Sequence, residues 1–193
     1  KKHGIKGGFF FTGEFYELYP DVVKRLRAEG HLVGSHSYEH LLYMPWENRD
    51  SLLVTREQFE LDMLKSYEVM RKAGIEYKDA PVYIQPYEYY NKEIAAWAKN
   101  MGIQLINYTP GTMSNADYTT PDMGAKYRSS KFIYDKIMEV EKKEGLNGHL
   151  MLIHFGTDDR RTDKFYNGYL DKMIKTLKRK GYTFVPVLEA TGI

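Results

Sequence analysis

An α/β fold, with a mostly parallel sheet or barrel walled by helices, is what this sequence predicts. Three observations lead there. Short apolar runs of strand length alternate with longer stretches whose apolar residues recur every three or four positions. Glycine or proline stands at most of the junctions between them. Three apolar runs also lead within a few residues into histidine, tyrosine or glutamate, and the C-terminal strand ends of α/β folds form their active face. Alternation of this kind means parallel strands joined by helical crossovers.

The elements follow in order. Lys1-Lys2-His3-Gly4 reads as the last turn of a helix closed by glycine. Phe9-Phe10-Phe11 is a short buried strand, closed by Thr12-Gly13. Pro20-Asp21 opens a helix through Glu29, with Val22, Val23 and Leu26 on its apolar side. Gly30 ends it, and His31-Leu32-Val33 starts a strand that delivers Gly34-Ser35-His36-Ser37-Tyr38-Glu39-His40. Residues 41–53 are loop-like. Thr55-Arg56-Glu57-Gln58 has the form of a capping box, and its helix carries Phe59, Met63, Tyr67 and Met70 as far as Gly74. Pro81 to Ile84 is the next strand, ending on Gln85-Pro86-Tyr87-Glu88. Asn91 caps a helix with Ile94, Ala95, Trp97 and Ala98, closed by Gly102, and Ile103 to Ile106 is again a strand. Residues 107–127 show no periodicity, and a loop that long in a compact domain points to function or disorder. Ser130 caps a helix that ends near Gly145. Leu150 to Ile153 reads as a fully apolar strand with His154 at its end, followed by a polar loop to Lys164. A helix over 165–180 and a strand over 183–187 close the chain. That makes six strands and five complete helices, all within one domain, 1–193.

Bulk properties exclude several functions. A net charge of +2 gives no field to hold nucleic acid or an anionic membrane. No run is apolar enough to insert in a bilayer, and no signal peptide is visible. Cysteine is absent, which rules out disulfides and thiolate metal sites. Aromatic residues make up 15% of the chain and 17 of them are tyrosine, whose flat face and hydroxyl suit sugar rings as well as cores.

The chemistry gathers at three strand ends. His36 and His40 are four residues apart, so a helical turn there would put both imidazoles on one face, a spacing suited to a divalent metal, zinc foremost. Tyr87 and Glu88 follow a second strand, and His154 follows a third, placed to protonate a leaving group. In a barrel these ends converge on one mouth.

His36-Ser37-x-x-His40 after Gly34-Ser35 resembles the metal-binding motif of NodB-type polysaccharide deacetylases, carbohydrate esterase family four. Phe9-Phe10-Phe11-Thr12-Gly13, Pro86-Tyr87-x-x-x-Asn91 and Leu152-Ile153-His154 resemble three further motifs of that family, in the family's order and across nearly the whole chain. The resemblance implies a distorted, incomplete (β/α) barrel, six strands present of seven. It implies metal-dependent removal of N- or O-acetyl groups from a polysaccharide. Its metal ligands would be His36 and His40, and its general acid His154. Tyr87, Glu88, Tyr108 and Asp117 would contact substrate, Asp117 also standing in as the acid's carboxylate partner. The backbone N–H of Tyr87 would help hold the oxyanion. Trp46, Tyr89, Tyr108 and Tyr118 are candidates for sugar stacking. A polysaccharide or oligosaccharide partner and a secreted, periplasmic or cell-surface location also follow from the resemblance.

The sequence departs from the family at named places. The Asp-Asp motif that supplies the catalytic base and a third ligand has no match and is expected upstream of Lys1. Ile84 stands where the family has an arginine, and Glu88 where it has a glycine. Self-association or an upstream segment is expected to close the sheet edge. These departures keep a second reading in view, a non-catalytic carbohydrate-binding domain of a larger glycan-degrading protein.

Overall fold

A computed structural model describes residues 2–193. The chain packs as two compact units, Lys1–Asn107 with Val185–Ile193, and Tyr108–Phe184.

The first unit is built on four parallel strands in the order β1 (Gly8–Phe11), β2 (Leu32–Ser35), β3 (Val82–Ile84) and β4 (Gln104–Ile106). Phe11 pairs with Ser35 and Ile84 with Ile106, so adjacent C-terminal strand ends lie level. Between the strands run α1 (Gly13–Leu18), α2 (Pro20–Ala28), α3 (Arg56–Lys72) and α4 (Lys92–Asn100). The expected α/β class holds, with an open sheet in place of a closed barrel. Gly34 is needed inside β2, because a Cβ there would come within 2.8 Å of the Phe10 ring on the neighbouring strand.

The helices form where capping and periodicity agree. Thr55 and Gln58 complete the capping box of α3 by bonding each other's backbone N–H groups. Asn91 caps α4 through the N–H groups of Glu93 and Ile94. From α3, Phe59, Met63 and Met70 are completely buried; Phe59 and Met63 pack with Tyr83, Ile94 and Trp97, and Met70 with Val23 and Val33. Burial of such side chains contributes about 1.5–3 kcal/mol each.

The second unit contains α5 (Ser130–Glu144), α6 (Phe165–Gly168) and α7 (Leu170–Arg179) around Ile133, Ile137, Phe165, Met173 and Leu177. Two 3-10 turns, Ser114–Tyr118 and Pro121–Lys126, order the stretch that lacks periodicity in sequence. Arg161 is the largest fully buried side chain. Its guanidinium donates to the carbonyls of Thr119, Arg128 and Asp163 and to the Ser130 hydroxyl, at 2.6–3.1 Å.

Five expectations need correction. Leu150–Ile153 is not a strand: its ties to Thr109 are one backbone bond of 2.8 Å and one to the hydroxyl of 3.0 Å, too few to form a ladder. Residues 183–187 are not a strand either; Pro186 instead begins α8 (Val187–Thr191), whose Val187 covers Gly8. The last long helix is interrupted at Tyr169, and Ser129 rather than Ser130 caps α5. Lys2 and His3 form a turn ending on Gly4 at φ 68°, with no helix among the described residues there; Lys1 lies outside them. The helix α1 has no counterpart in the sequence reading.

Candidate functional site

In the first unit the loop after β2 brings His36 and His40 together, but not by a helical turn. Ser37 (φ 66°) and His40 (φ 55°) are left-handed, so the loop curls back on itself and sets the two Nε2 atoms 3.2 Å apart. The i,i+4 spacing is thus satisfied by a strained loop and not by the expected helical turn. Tyr87 (φ 59°) and Glu88 (φ 51°), at the end of β3, are left-handed as well. Side-chain-bearing residues in this region cost of order 1 kcal/mol or more each, and such strain concentrates at functional sites. At Glu88 it falls where the resembling family has a glycine.

A dense set of bonds holds the loop in this shape. The His36 N–H continues the ladder to Phe11 O at 2.9 Å, and the Gly13 N–H donates to Ser37 O and Tyr38 O. A Cβ on Gly13 would collide with the Tyr38 ring, so Thr12-Gly13 is where the β1 end and this loop interlock. From α3, Asp62 accepts the N–H groups of Tyr38 and Glu39 at 3.0 and 2.8 Å, and Ser66 bonds the Ser35 hydroxyl at 2.7 Å. Ser35 in turn accepts the Ser37 N–H, and the Ser37 hydroxyl accepts that of His40. Asp62 is buried, which raises its carboxyl above the ordinary 3.8; the two N–H bonds oppose that shift. Sequence reasoning missed Asp62 and Ser66. The signal was there: both lie on the apolar stripe of α3 with Phe59, Met63 and Met70, where a polar side chain has to be bonded.

The imidazoles suit a shared cation. The His36 Nδ1–H donates to Ile84 O at 2.8 Å, which in the neutral ring puts the lone pair on Nε2, the atom that faces His40. A tetrahedral zinc with bonds of about 2.0–2.1 Å holds two nitrogens roughly 3.3 Å apart, close to the separation seen. No group of three His, Cys, Asp or Glu suited to a metal occurs among the described residues, so His36 and His40 are joined there by no third such side chain.

Beside it stands an aromatic shelf. The Tyr87 ring packs edge-on against His40 (4.6 Å) and Trp46 (5.4 Å), and Trp46 packs on Tyr89 (5.1 Å), itself under the Arg49 guanidinium. Trp46 and Tyr87 are exposed. Glu88 accepts the Asn107 side-chain amide at its carbonyl, 3.0 Å.

In the second unit His154 is held by Asp117. One carboxylate oxygen accepts the ring Nδ1–H at 2.7 Å and the other accepts the His154 backbone N–H at 2.8 Å. Asp117 is 1% exposed against 29% for the imidazole, a buried carboxylate behind an accessible ring. This arrangement fixes the tautomer and assigns proton exchange to Nε2. Tyr118 packs edge-on to His154 at 6.1 Å. Tyr108 lines a cleft together with Tyr118.

A family model for polysaccharide deacetylases matches residues 1–106. Peptidoglycan-N-acetylmuramic acid deacetylase PdaA of Bacillus subtilis is 30% identical over 95% of this chain and 60% of its own length. The chain spans about 60% of the length of the first curated relatives it matches. The Bc1960 peptidoglycan N-acetylglucosamine deacetylase has the same fold, with a TM-score of 0.75 and 23% identity over 98% of this chain and 76% of its own. So does BA3943 of Bacillus anthracis, described as a pseudoenzyme of carbohydrate esterase family four (TM-score 0.69, 18% identity, 98% of this chain and 56% of its own).

Proposed function

Since the chain belongs to the polysaccharide deacetylase family, we propose that it is a metal-dependent hydrolase removing acetyl groups from a bacterial cell-wall or related polysaccharide outside the cytoplasm. His36 and His40 are the residues that would hold the ion, zinc by donor type. When bound, a divalent ion supplies Lewis-acid polarisation of the acyl carbonyl. The protein's own contribution is positioning and proton transfer. Ile84 O orients His36, and Asp62 and Ser66 keep the loop shape that aims His40. Trp46, Tyr87 and Tyr89 offer rings against which a sugar face stacks, excluding water on that side. His154, with Nδ1 occupied by Asp117, protonates the departing amine or alkoxide from Nε2.

The observation that supports this most is the 3.2 Å approach of two Nε2 atoms from a loop anchored by a dense set of hydrogen bonds from its own chain. The test is acetate release from peptidoglycan and from N-acetylglucosamine oligomers by the zinc-loaded protein, before and after chelation. Release that stops on chelation and returns with zinc supports the reading; no release from either substrate at full zinc loading overturns it.

A second reading is a carbohydrate-binding domain without catalysis. Ile84 and Glu88 favour it, since the family pattern has an arginine and a glycine there. It predicts glycan binding with no acetate released under any metal.

A further inference from the structure

We propose that the cleft of the second unit is a subsite for an acidic sugar, a hexose carrying a carboxylate, bound beside the imidazole of His154. The cleft measures about 390 Å³, within the range of small-ligand sites. Tyr108 and Tyr118 give it aromatic walls, and Lys126 and Arg128 give it two positive charges. Among the described residues no acidic side chain lines it. Neither cation has a carboxylate partner among the described residues, although nearby Arg160 has two, Asp122 and Asp158.

Arg128 is the stronger clue. Its Nη1 is fixed by the carbonyls of Ala125 (2.7 Å) and Tyr127 (2.9 Å), and its guanidinium lies 5.3 Å from the Phe132 ring centre. Its Nε is buried without a hydrogen-bond acceptor. A partly desolvated cation held in one place with no counter-charge is costly, and an anionic ligand relieves that cost. The frame behind it is rigid. The Thr119 hydroxyl accepts the Arg128 backbone N–H, and fully buried Arg161 bonds the carbonyls of both residues. Such pre-organisation lowers the ordering cost of binding. Aromatic faces for the ring and cations for the acid together select a sugar acid over a neutral sugar. Tyr118, a wall of the cleft, also touches the His154 ring, so occupancy would reach the group assigned as the proton donor. The proposal rests on the deacetylase reading for its glycan, yet it is tested by binding alone.

The experiment compares three tetrasaccharides by calorimetry on the full chain: one containing N-acetylmuramic acid, one containing a uronic acid, and a neutral N-acetylglucosamine oligomer. An acidic probe should bind at least about tenfold tighter than the neutral one, the worth of one charge-assisted hydrogen bond, and lose that margin at high salt. The muramic and uronic arms distinguish a lactyl ether acid from a ring carboxylate. Lys126→Glu, an exposed change, and Arg128→Gln should each abolish the preference, with Arg128→Lys restoring part of it. Equal affinity for all three probes, or a preference surviving Lys126→Glu in a folded protein, overturns the proposal. Acetate release without any preference sinks the cleft alone; a preference without acetate release sinks the deacetylase reading alone.

Discussion

The two histidine centres are fixed by different means. His36 and His40 depend on the main chain: two left-handed residues, a strand end, and N–H groups gathered by Asp62, Ser35 and Ser37. His154 depends on one side chain, Asp117, which holds both its ring and its backbone. The first design distributes control over many weak contacts at the C-terminal end of an interior strand. The second concentrates it in a single buried carboxylate on a 3-10 turn. Damage to the first should therefore be graded, and damage to the second close to all-or-none.

Direct removal of a ligand sets the upper limit. His36→Ala should lower zinc affinity by more than about a hundredfold, beyond what loss of an orienting group costs, and abolish metal-stimulated acetate release. Zinc titration by calorimetry checks it; unchanged stoichiometry and affinity would break the assignment. Next comes the concentrated centre. Asp117→Asn should reduce kcat by about 10²–10⁴ with little change in KM, since only proton transfer from His154 is impaired. A fall confined to KM would instead make Asp117 a substrate contact. The distributed centre should yield by degrees: Asp62→Ala leaves two N–H donors without their carboxylate, costing about 2–4 kcal/mol of stability and about 10–100-fold in zinc affinity. Urea unfolding and the same zinc titration read both.

The smallest effect concerns pH. His31 is held below its ordinary 6.5, first by burial and then by Lys6, and its neutral Nδ1 accepts the Gly7 N–H. The unfolded chain therefore takes up the proton first as pH falls. Stability should decline as pH drops below about 6.5 and level off below the folded value. His31→Gln should flatten that decline in thermal melts across pH 5–8.

Much of the first unit was legible because local signals and packing agree there. Phe9–Phe11, the Thr55 capping box and the Asn91 cap each announce an element that tertiary structure keeps. The second unit was less so. Leu150–Ile153 has strand composition, but a strand exists only if a neighbour completes its ladder, and composition does not encode the neighbour. The i,i+4 histidines illustrate a different limit. Spacing foretold nearby nitrogens, while the left-handed Ser37 and His40 that achieve it carry no glycine to mark them. Asp117 is singled out from the long loop only through the family resemblance, as the partner of the acid; the bonding to His154 itself, 37 positions away, belongs to tertiary structure. Asp62 and Ser66 were readable in principle, as polar residues on an apolar stripe.

The burial of Arg161 has a consequence for how the second unit opens. One guanidinium ties the chain at 119, 128, 130 and 163, so none of these segments separates without stranding charged donors in the interior. Amide hydrogens across them should therefore exchange with deuterium as a block, with a common opening free energy, rather than fraying loop by loop. Conversion to Arg161→Met should split that block into independently exchanging pieces.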